Sequence, residues 1–477
     1  MEPHEQLLQW AEAKGVKLDG IAPQRLPGRG MGIVATRSIQ PDETLLEVPA
    51  RCLRSIETVP KALSRRLPRD ISVHGLLAAD LALDASDTYA AWNAVCPTPA
   101  DLASMPIHWP PALQELLPGP ARVLLARQQA KIERDWAAAS KLFLSPSPPS
   151  SSALDVAVDG GGGGDDDNGS VVKTNNKEEE GKAEAVADAN ANLLKQKFVH
   201  AWLLVNTRTF YHESPRLRRR AKEDRMVLQP VADLFNHAGS RTGWCHVAFD
   251  AASFTVRADR PYSPGDEVRI CYGRHGGDLL LVEYGFVLGG DSDDDDNDGN
   301  SGSSKDDWLE ENCWDEVGLD DVLLPRLSDS AKDKLSEVGF LGGYVLDAGT
   351  VCYRTQVALR ALCCLRTGRE EEWRRFLEDG EDADAARQGE VDGVFVGMLE
   401  EYRAQTIGTT LAKVAAMEND DDDDVSEEGG EGLPSSSSSS SSKAQRELLC
   451  KRWKHVDRLV RITIERLKSE ASVNITH

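Results

Sequence analysis

The chain has 477 residues, 40% of them hydrophobic, and a formal net charge of −24 at pH 7. That length allows two domains plus linkers at ~100–200 residues each, and no stretch approaches the roughly 18 uninterrupted apolar residues of a membrane helix. Nine cysteines, odd in number, scattered and never spaced C-x-x-C, imply neither a disulfide framework nor a zinc ribbon; with no basic-then-apolar leader over Met1–Trp10, the expectation is a soluble intracellular protein.

A helix is predicted over Gln6–Ala13, followed by short strands at Gly32–Thr36 and Thr44–Val48 around the turn signal Pro41-Asp42. Lys61–Phe143 is helical in character: Leu76, Leu77, Ala79, Leu81 and Leu83 lead to an amphipathic run from Leu116 to Trp136. Ser145 to about Asn190 then carries a Pro/Ser run, five glycines (Gly160–Gly164) and mixed acid, a composition that cannot offset its ordering entropy. A helix through Trp202 and Val205 gives way to alternating strands at His246–Phe249 and Ser253–Val256, and Pro264-Gly265-Asp266-Glu267 turns the chain into Val268-Arg269-Ile270. Gly289–Asp307 is Asp/Gly/Ser, and from Trp308 the chain is helical, with a charged stretch at Glu378–Glu390 and a run of aspartates and serines at Glu418–Ser442. Much of the net charge sits in these acidic runs, which read as solubilising linkers.

The boundaries drawn are 1–60, an N-terminal helix and the first sheet segment; 61–144, a helical insertion; 145–192, a low-complexity linker; 193–288, the second sheet segment; 289–307, an acidic linker; and 308–477, a helical domain with a linker at 418–442. Strands, helices, strands, helices in that order describe an α+β protein: a small-sheet domain split by a helical insertion and followed by an all-α domain.

Three segments carry chemistry. Gly28-Arg29-Gly30-Met31-Gly32 precedes a strand; alternating glycines expose backbone N–H groups and let a ligand approach, though a glycine-rich turn has the same pattern. Asp233-Leu234-Phe235-Asn236-His237 follows an apolar stretch and offers an amide that both donates and accepts. Asp233, His237 and His246 also make a two-histidine, one-carboxylate metal set on paper, and a core Asn/His pair satisfied by backbone remains open. Ile270-Cys271-Tyr272-Gly273 and Glu283-Tyr284-Gly285-Phe286 can build a narrow aromatic slot that attracts a cation, or can simply be core.

Taken together these segments resemble the SET-domain methyltransferases, and within them the class typified by the Rubisco large-subunit lysine methyltransferase. Gly28–Ala35 resembles the family's first cofactor loop, and Phe198–Phe210 its W-A-x-x-x-V-x-S-R-x-F stretch, with Thr207 where serine is commoner. Asp233–His237 is similar to its D-x-x-N-H signature, and Tyr272-Gly273 with Glu283–Phe286 to its final pair. Trp308 onward, including Cys352-Tyr353-Arg354-Thr355, resembles its helical substrate-binding domain. The resemblance implies a SET fold of small β-sheets with a knot-like thread, S-adenosylmethionine as cofactor, and transfer of its methyl group to a protein lysine. It assigns Arg29, Gly30, Met31, Arg208, Asn236, His237 and Tyr272 to the cofactor, Asp233, Tyr272 and Phe286 to the substrate, and Tyr284 to catalysis, with no metal. The absence of cysteine-rich zinc clusters beside these segments favours a non-histone protein substrate, such as a ribosomal protein or translation factor, over a nucleosome. A histidine target and a catalytically inactive SET-like binding module are the competing readings. The partners expected are the lysine-bearing protein alone, with no direct nucleic acid, no membrane and a monomeric chain. The cytoplasm is the expected location, with the nucleus open through the basic run Arg216–Arg220.

Overall fold

Eleven short strands and a larger set of helices make up the described residues of the computed structural model, which are 2–144, 176–213, 217–241, 243–250, 252–289, 312–380, 382, 385–424 and 436–474. Most of the linker stretches, 145–175, 290–307 and 425–435, lie outside them. Where those stretches are described they are helical: 176–190 belongs to the helix Asn176–Arg208, and 418–424 and 436–442 extend Gly408–Asp424 and Ser436–Asn474. Composition alone missed this because lengthening an existing helix avoids the costly nucleus. No helix among the described residues is long and apolar enough to cross a membrane.

The strands in chain order are β1 Lys17–Leu18, β2 Ile21–Leu26, β3 Gly30–Ala35, β4 Thr44–Pro49, β5 Thr209–Tyr211, β6 Met226–Leu228, β7 His246–Phe249, β8 Ser253–Arg257, β9 Glu267–Val268, β10 Glu316–Gly318 and β11 Val345–Asp347. The chain divides into two units, described separately: Met1–Arg51, Ala94–Gln129 and Pro230–His477 form one, Cys52–Asn93 and Ala130–Gln229 the other.

The first unit holds a four-stranded sheet in the order β1-β4-β8-β7 and a three-stranded sheet in the order β2-β3-β9. Leu45, Leu46 and Val48 of β4 and Phe254 and Val256 of β8 are buried, the apolar payload that fixes their antiparallel register. β2 and β3 pair from Ile21↔Ala35 to Leu26↔Gly30, so the glycine-rich segment is the tip of a hairpin, and β9 adds to the far side of β3 through Ile33↔Val268 and Val34↔Glu267. The C-terminal region is helical, as its periodicity requires: Tyr353–Leu365, Glu370–Asp379, Ala385–Tyr402, Gly408–Asp424 and Ser436–Asn474 contribute to one apolar core with Trp373, Phe395, Leu399, Trp453 and Leu459. It also contains the β10–β11 ladder, whose three-residue strands are too short to leave a period-2 signal.

In the second unit, Ser72 caps Val73–Leu83 by accepting from the Gly75 N–H at 2.8 Å, and this helix packs on Asn176–Arg208. Asp135 accepts from both Ser72 Oγ and Trp202 Nε1 at 2.9 Å, and His74 stacks on Trp202 with ring centroids 3.9 Å apart. A Cβ at Gly75 would stand 2.8 Å from the Asp135 carboxyl carbon, so this helix contact needs glycine.

Candidate functional site

The hairpin tip between β2 and β3 turns at Gly28 and Gly30, with φ of 68° and 69°, left-handed values that glycine adopts without Cβ strain. A Cβ at either would meet nothing within 4 Å, so these glycines serve backbone conformation and leave open space beside the tip. Gly32 serves packing: a Cβ there would lie 2.8 Å from the Asn236 amide nitrogen. Arg29 reaches from the tip to Glu267 on β9 at 2.8 Å, and Asn236 Nδ2 donates to the same carboxylate at 2.8 Å.

Asn236 follows a short 3-10 turn, Ala232–Leu234, entered through Val231 at φ 68°. A β-branched residue in that region is a strained exception, held here because Val231 is fully buried. Asp233, 8% exposed, lies within this turn. After it the chain runs beside 270–272: Ile270 N donates to Asn236 O at 3.1 Å and Ala238 N to Ile270 O at 2.9 Å. Tyr272 then donates twice, its N–H to His237 Nδ1 at 3.1 Å and its hydroxyl to Phe235 O at 2.6 Å. The first bond makes Nδ1 an acceptor, so the His237 proton sits on Nε2, which is buried and without a partner among the described residues. Burial, with His275 adding, pushes His237 down to about 4, and the ring is neutral at physiological pH.

Around His237 the rings close up. Tyr272 stacks on it at 5.0 Å, Tyr284 lies 5.3 Å from Tyr272, and Phe286 lies 6.2 Å from both His237 and Tyr284. His275 completes the group, 6.0 Å from Tyr284 and 6.5 Å from His237. Tyr284 ends a π-helical turn, Leu280–Tyr284, stopped by Gly285 at φ 80°. A Cβ on Gly285 would meet Met105 Cγ at 2.8 Å and Ser104 Oγ at 2.7 Å. Gln128 secures the turn from the side, donating to Val282 O at 3.2 Å and to Glu283 at 2.9 Å. Burial first, then Glu283 and Cys271, pushes the Tyr284 phenol up to about 12, so it keeps its proton at neutral pH and its hydroxyl can both donate and accept.

Of the residues singled out from sequence, Arg29, Gly30, Met31, Asp233, Asn236, His237, Tyr272, Tyr284 and Phe286 all lie in the first unit; Arg29 and Asn236 meet at Glu267, and His237, Tyr272, Tyr284 and Phe286 form one ring cluster. Met31 follows Gly30 on β3, opposite Arg25. Arg208 stands in the second unit, half-buried at the C-terminal end of Asn176–Arg208, and is described there alone. The metal set drawn from Asp233, His237 and His246 is not assembled: His246 is exposed on the edge strand β7, and among the described residues no three His, Cys, Asp or Glu side chains could hold an ion. Sequence reasoning missed Glu267 and His275. Glu267 was read only as part of a turn, and its pairing with Val34 shows only in the structure; His275 sits between Gly273 and Gly276 with no pattern to mark it.

The SET domain family model matches residues 30–273, just over half of the chain. SET domain-containing protein 4 of Homo sapiens is 24% identical over 295 residues, 59% of this chain and 58% of that protein. Ribosomal lysine N-methyltransferase 2 of Saccharomyces cerevisiae is 25% identical over 243 residues, 47% of this chain and 45% of that one. The chain thus spans less than two thirds of the length of these curated relatives. Among solved structures, the SET domain of LSMT bound to MeLysine and AdoHcy aligns over 98% of this chain and 94% of its own, with a TM-score of 0.51 at 14% identity, a likeness of fold.

Proposed function

The chain belongs to the SET domain family, and from that premise we propose that it is an S-adenosylmethionine-dependent protein methyltransferase acting on a lysine of a non-histone protein. One observation carries the reading: Asn236-His237 and Tyr272 are laced by backbone and side-chain hydrogen bonds directly beside Tyr284, within a cluster of neutral rings.

The residues fit the cofactor. The open hairpin tip at Gly28–Gly30, the anchored Asn236 amide and the unpartnered Nε2–H of His237 offer backbone and side-chain groups for its adenine and amino-acid parts. S-adenosylmethionine supplies an electrophilic methyl group on a cationic sulfur. The chain must therefore present a neutral amine, whereas an ordinary lysine has a pKa of about 10.4. Tyr272, Tyr284, Phe286 and the neutral rings of His237 and His275 provide an aromatic slot, where desolvation disfavours the ammonium and the proton leaves to water. Tyr284, protonated, would accept a hydrogen bond from an N–H of the amine through its hydroxyl oxygen, leaving the lone pair free to face the methyl group, and alignment supplies much of the remaining rate.

Two relatives are named as ribosomal lysine N-methyltransferases, including set11 of Schizosaccharomyces pombe, 34% identical over 91 residues, which supports a ribosomal or translational substrate. We propose a cytoplasmic location, supported by the engagement of part of the basic run: Arg218 pairs with Glu213 at 3.4 Å and Arg220 reaches Ile71 O at 3.5 Å, while Arg216 lies outside the described residues.

Incubating wild type and Tyr284→Phe with labelled S-adenosylmethionine and a cell lysate tests the reading. Discrete labelled bands are expected with wild type, reduced about a hundredfold in the variant, as when a group that aligns the reactants is removed, and mass spectrometry of the bands distinguishes lysine from histidine. No label and no cofactor binding would turn the site into a binding module.

A further inference from the structure

Glu267 belongs to no segment that the sequence marked for chemistry, yet its carboxylate joins the two that hold the cofactor in the reading above. It sits on β9 opposite Val34 of β3, with its side chain 16% exposed. One oxygen accepts from Asn236 Nδ2 at 2.8 Å and the other from the Arg29 guanidinium at 2.8 Å.

An ionised carboxylate only accepts, so the Asn236 amide has one orientation available: nitrogen toward Glu267, oxygen turned away. Gly32 fixes the approach, since any Cβ there would crowd the same nitrogen. The carbonyl oxygen of Asn236 is thereby kept as an acceptor, which suits the ammonium at the amino-acid end of S-adenosylmethionine. Were the amide free to flip, half its orientations would present N–H donors to that cation. The second arm, Arg29, ties the same carboxylate to the tip whose backbone lies beside the open space at Gly28 and Gly30.

We propose that Glu267 is a positioning residue for S-adenosylmethionine: it selects the acceptor face of Asn236 and couples that choice to the conformation of the Gly28–Gly30 tip. The inference rests on the methyltransferase reading. It also assigns the Arg29 side chain to Glu267, leaving the backbone of the tip for the cofactor.

Calorimetric titration of the full chain with S-adenosylmethionine tests it, alongside thermal melting of each free variant. Glu267→Gln keeps the shape but offers an amide that can donate back, and weakens binding about tenfold, the worth of a hydrogen bond to a charged group. Asn236→Asp sets two carboxylates face to face and weakens binding further. The double variant Asn236→Asp with Glu267→Gln restores a donor–acceptor pair and recovers part of the loss, which a variant that had merely failed to fold could not do. Arg29→Ala, at a half-exposed guanidinium, costs only a few-fold. Unchanged affinity in Glu267→Gln with a lowered melting temperature would make Glu267 a strut between strands and overturn the proposal. So would a double variant as weak as Asn236→Asp alone. Wild-type protein that binds no S-adenosylmethionine overturns the methyltransferase reading itself, and this inference with it.

Discussion

The helical segment Gly277–Tyr284 has two differently made ends. At its start Arg452, fully buried, donates to Asp278 and Asp315 at 2.7 Å each and to Glu316 O at 2.9 Å, while Gly277 N–H donates to Asp315 at 2.7 Å. The two carboxylates hold the guanidinium charged despite its burial. At its other end His237 is buried and Tyr284 and His275 are half-buried with no ion pair of their own among the described residues, and desolvation, the largest influence on each, drives all three toward their neutral forms. The same low dielectric thus has opposite outcomes: partnered charges lock the segment in place, and unpartnered ionisable groups surrender theirs. A lysine entering the second environment meets the same pressure toward neutrality that the mechanism requires.

The largest effect comes from breaking the charged end. Arg452→Met leaves Asp278 and Asp315 buried together without their cation, and is expected to cost about 3–5 kcal/mol of stability, read from the denaturant midpoint. If the variant loses no more than a surface ion pair would, about 1 kcal/mol or less, the cluster is not the anchor described.

The neutral end responds to acid. His237 has its folded pKa depressed to about 4 from an ordinary value near 6.5, so the unfolded chain binds more protons between those values. Its contribution is fully present above about pH 6.5 and is lost as pH falls toward 4, at up to about 1.4 kcal/mol per pH unit. His74 in the second unit, also pushed to about 4 by burial, behaves alike. His237→Gln should flatten the stability profile over this window relative to wild type. A profile unchanged in slope would mean that the ring is already protonated or solvated in the folded chain.

The contrast between these ends was only half legible in the sequence. Tyr272, Tyr284, Phe286, Asn236 and His237 stood in short motifs with glycine punctuation, because backbone turns and aromatic contacts there depend on near neighbours. Of the glycine hairpin only one strand was legible: Gly32–Thr36 carried an apolar run beside its glycines, whereas its partner Ile21–Leu26, interrupted by Pro23 and Arg25, gave no strand pattern. The anchor was invisible. Arg452 meets Asp278 and Asp315 across 174 and 137 residues of chain, and an arginine in a helix of mixed charge gives no local sign that it is buried. Glu267 failed in the same way, since its partners Arg29 and Asn236 come from two other segments. The β10–β11 ladder was missed for brevity alone.

The smallest expected effect tests whether the two ends are independent. Tyr272→Phe deletes only the hydroxyl that donates to Phe235 O at 2.6 Å, keeping the ring beside His237 and Tyr284. The stability loss should be about 1 kcal/mol, the worth of a neutral hydrogen bond. The Tyr272 N–H to His237 Nδ1 bond is a backbone donor and survives the substitution, so His237 should keep its tautomer and its depressed pKa. Combined with Arg452→Met, the two losses should add within about 0.5 kcal/mol, because the groups share no partner. A larger coupling would show that strain at the charged start of Gly277–Tyr284 reaches the rings at its end, and the segment would then have to be treated as one rigid lever carrying Tyr284.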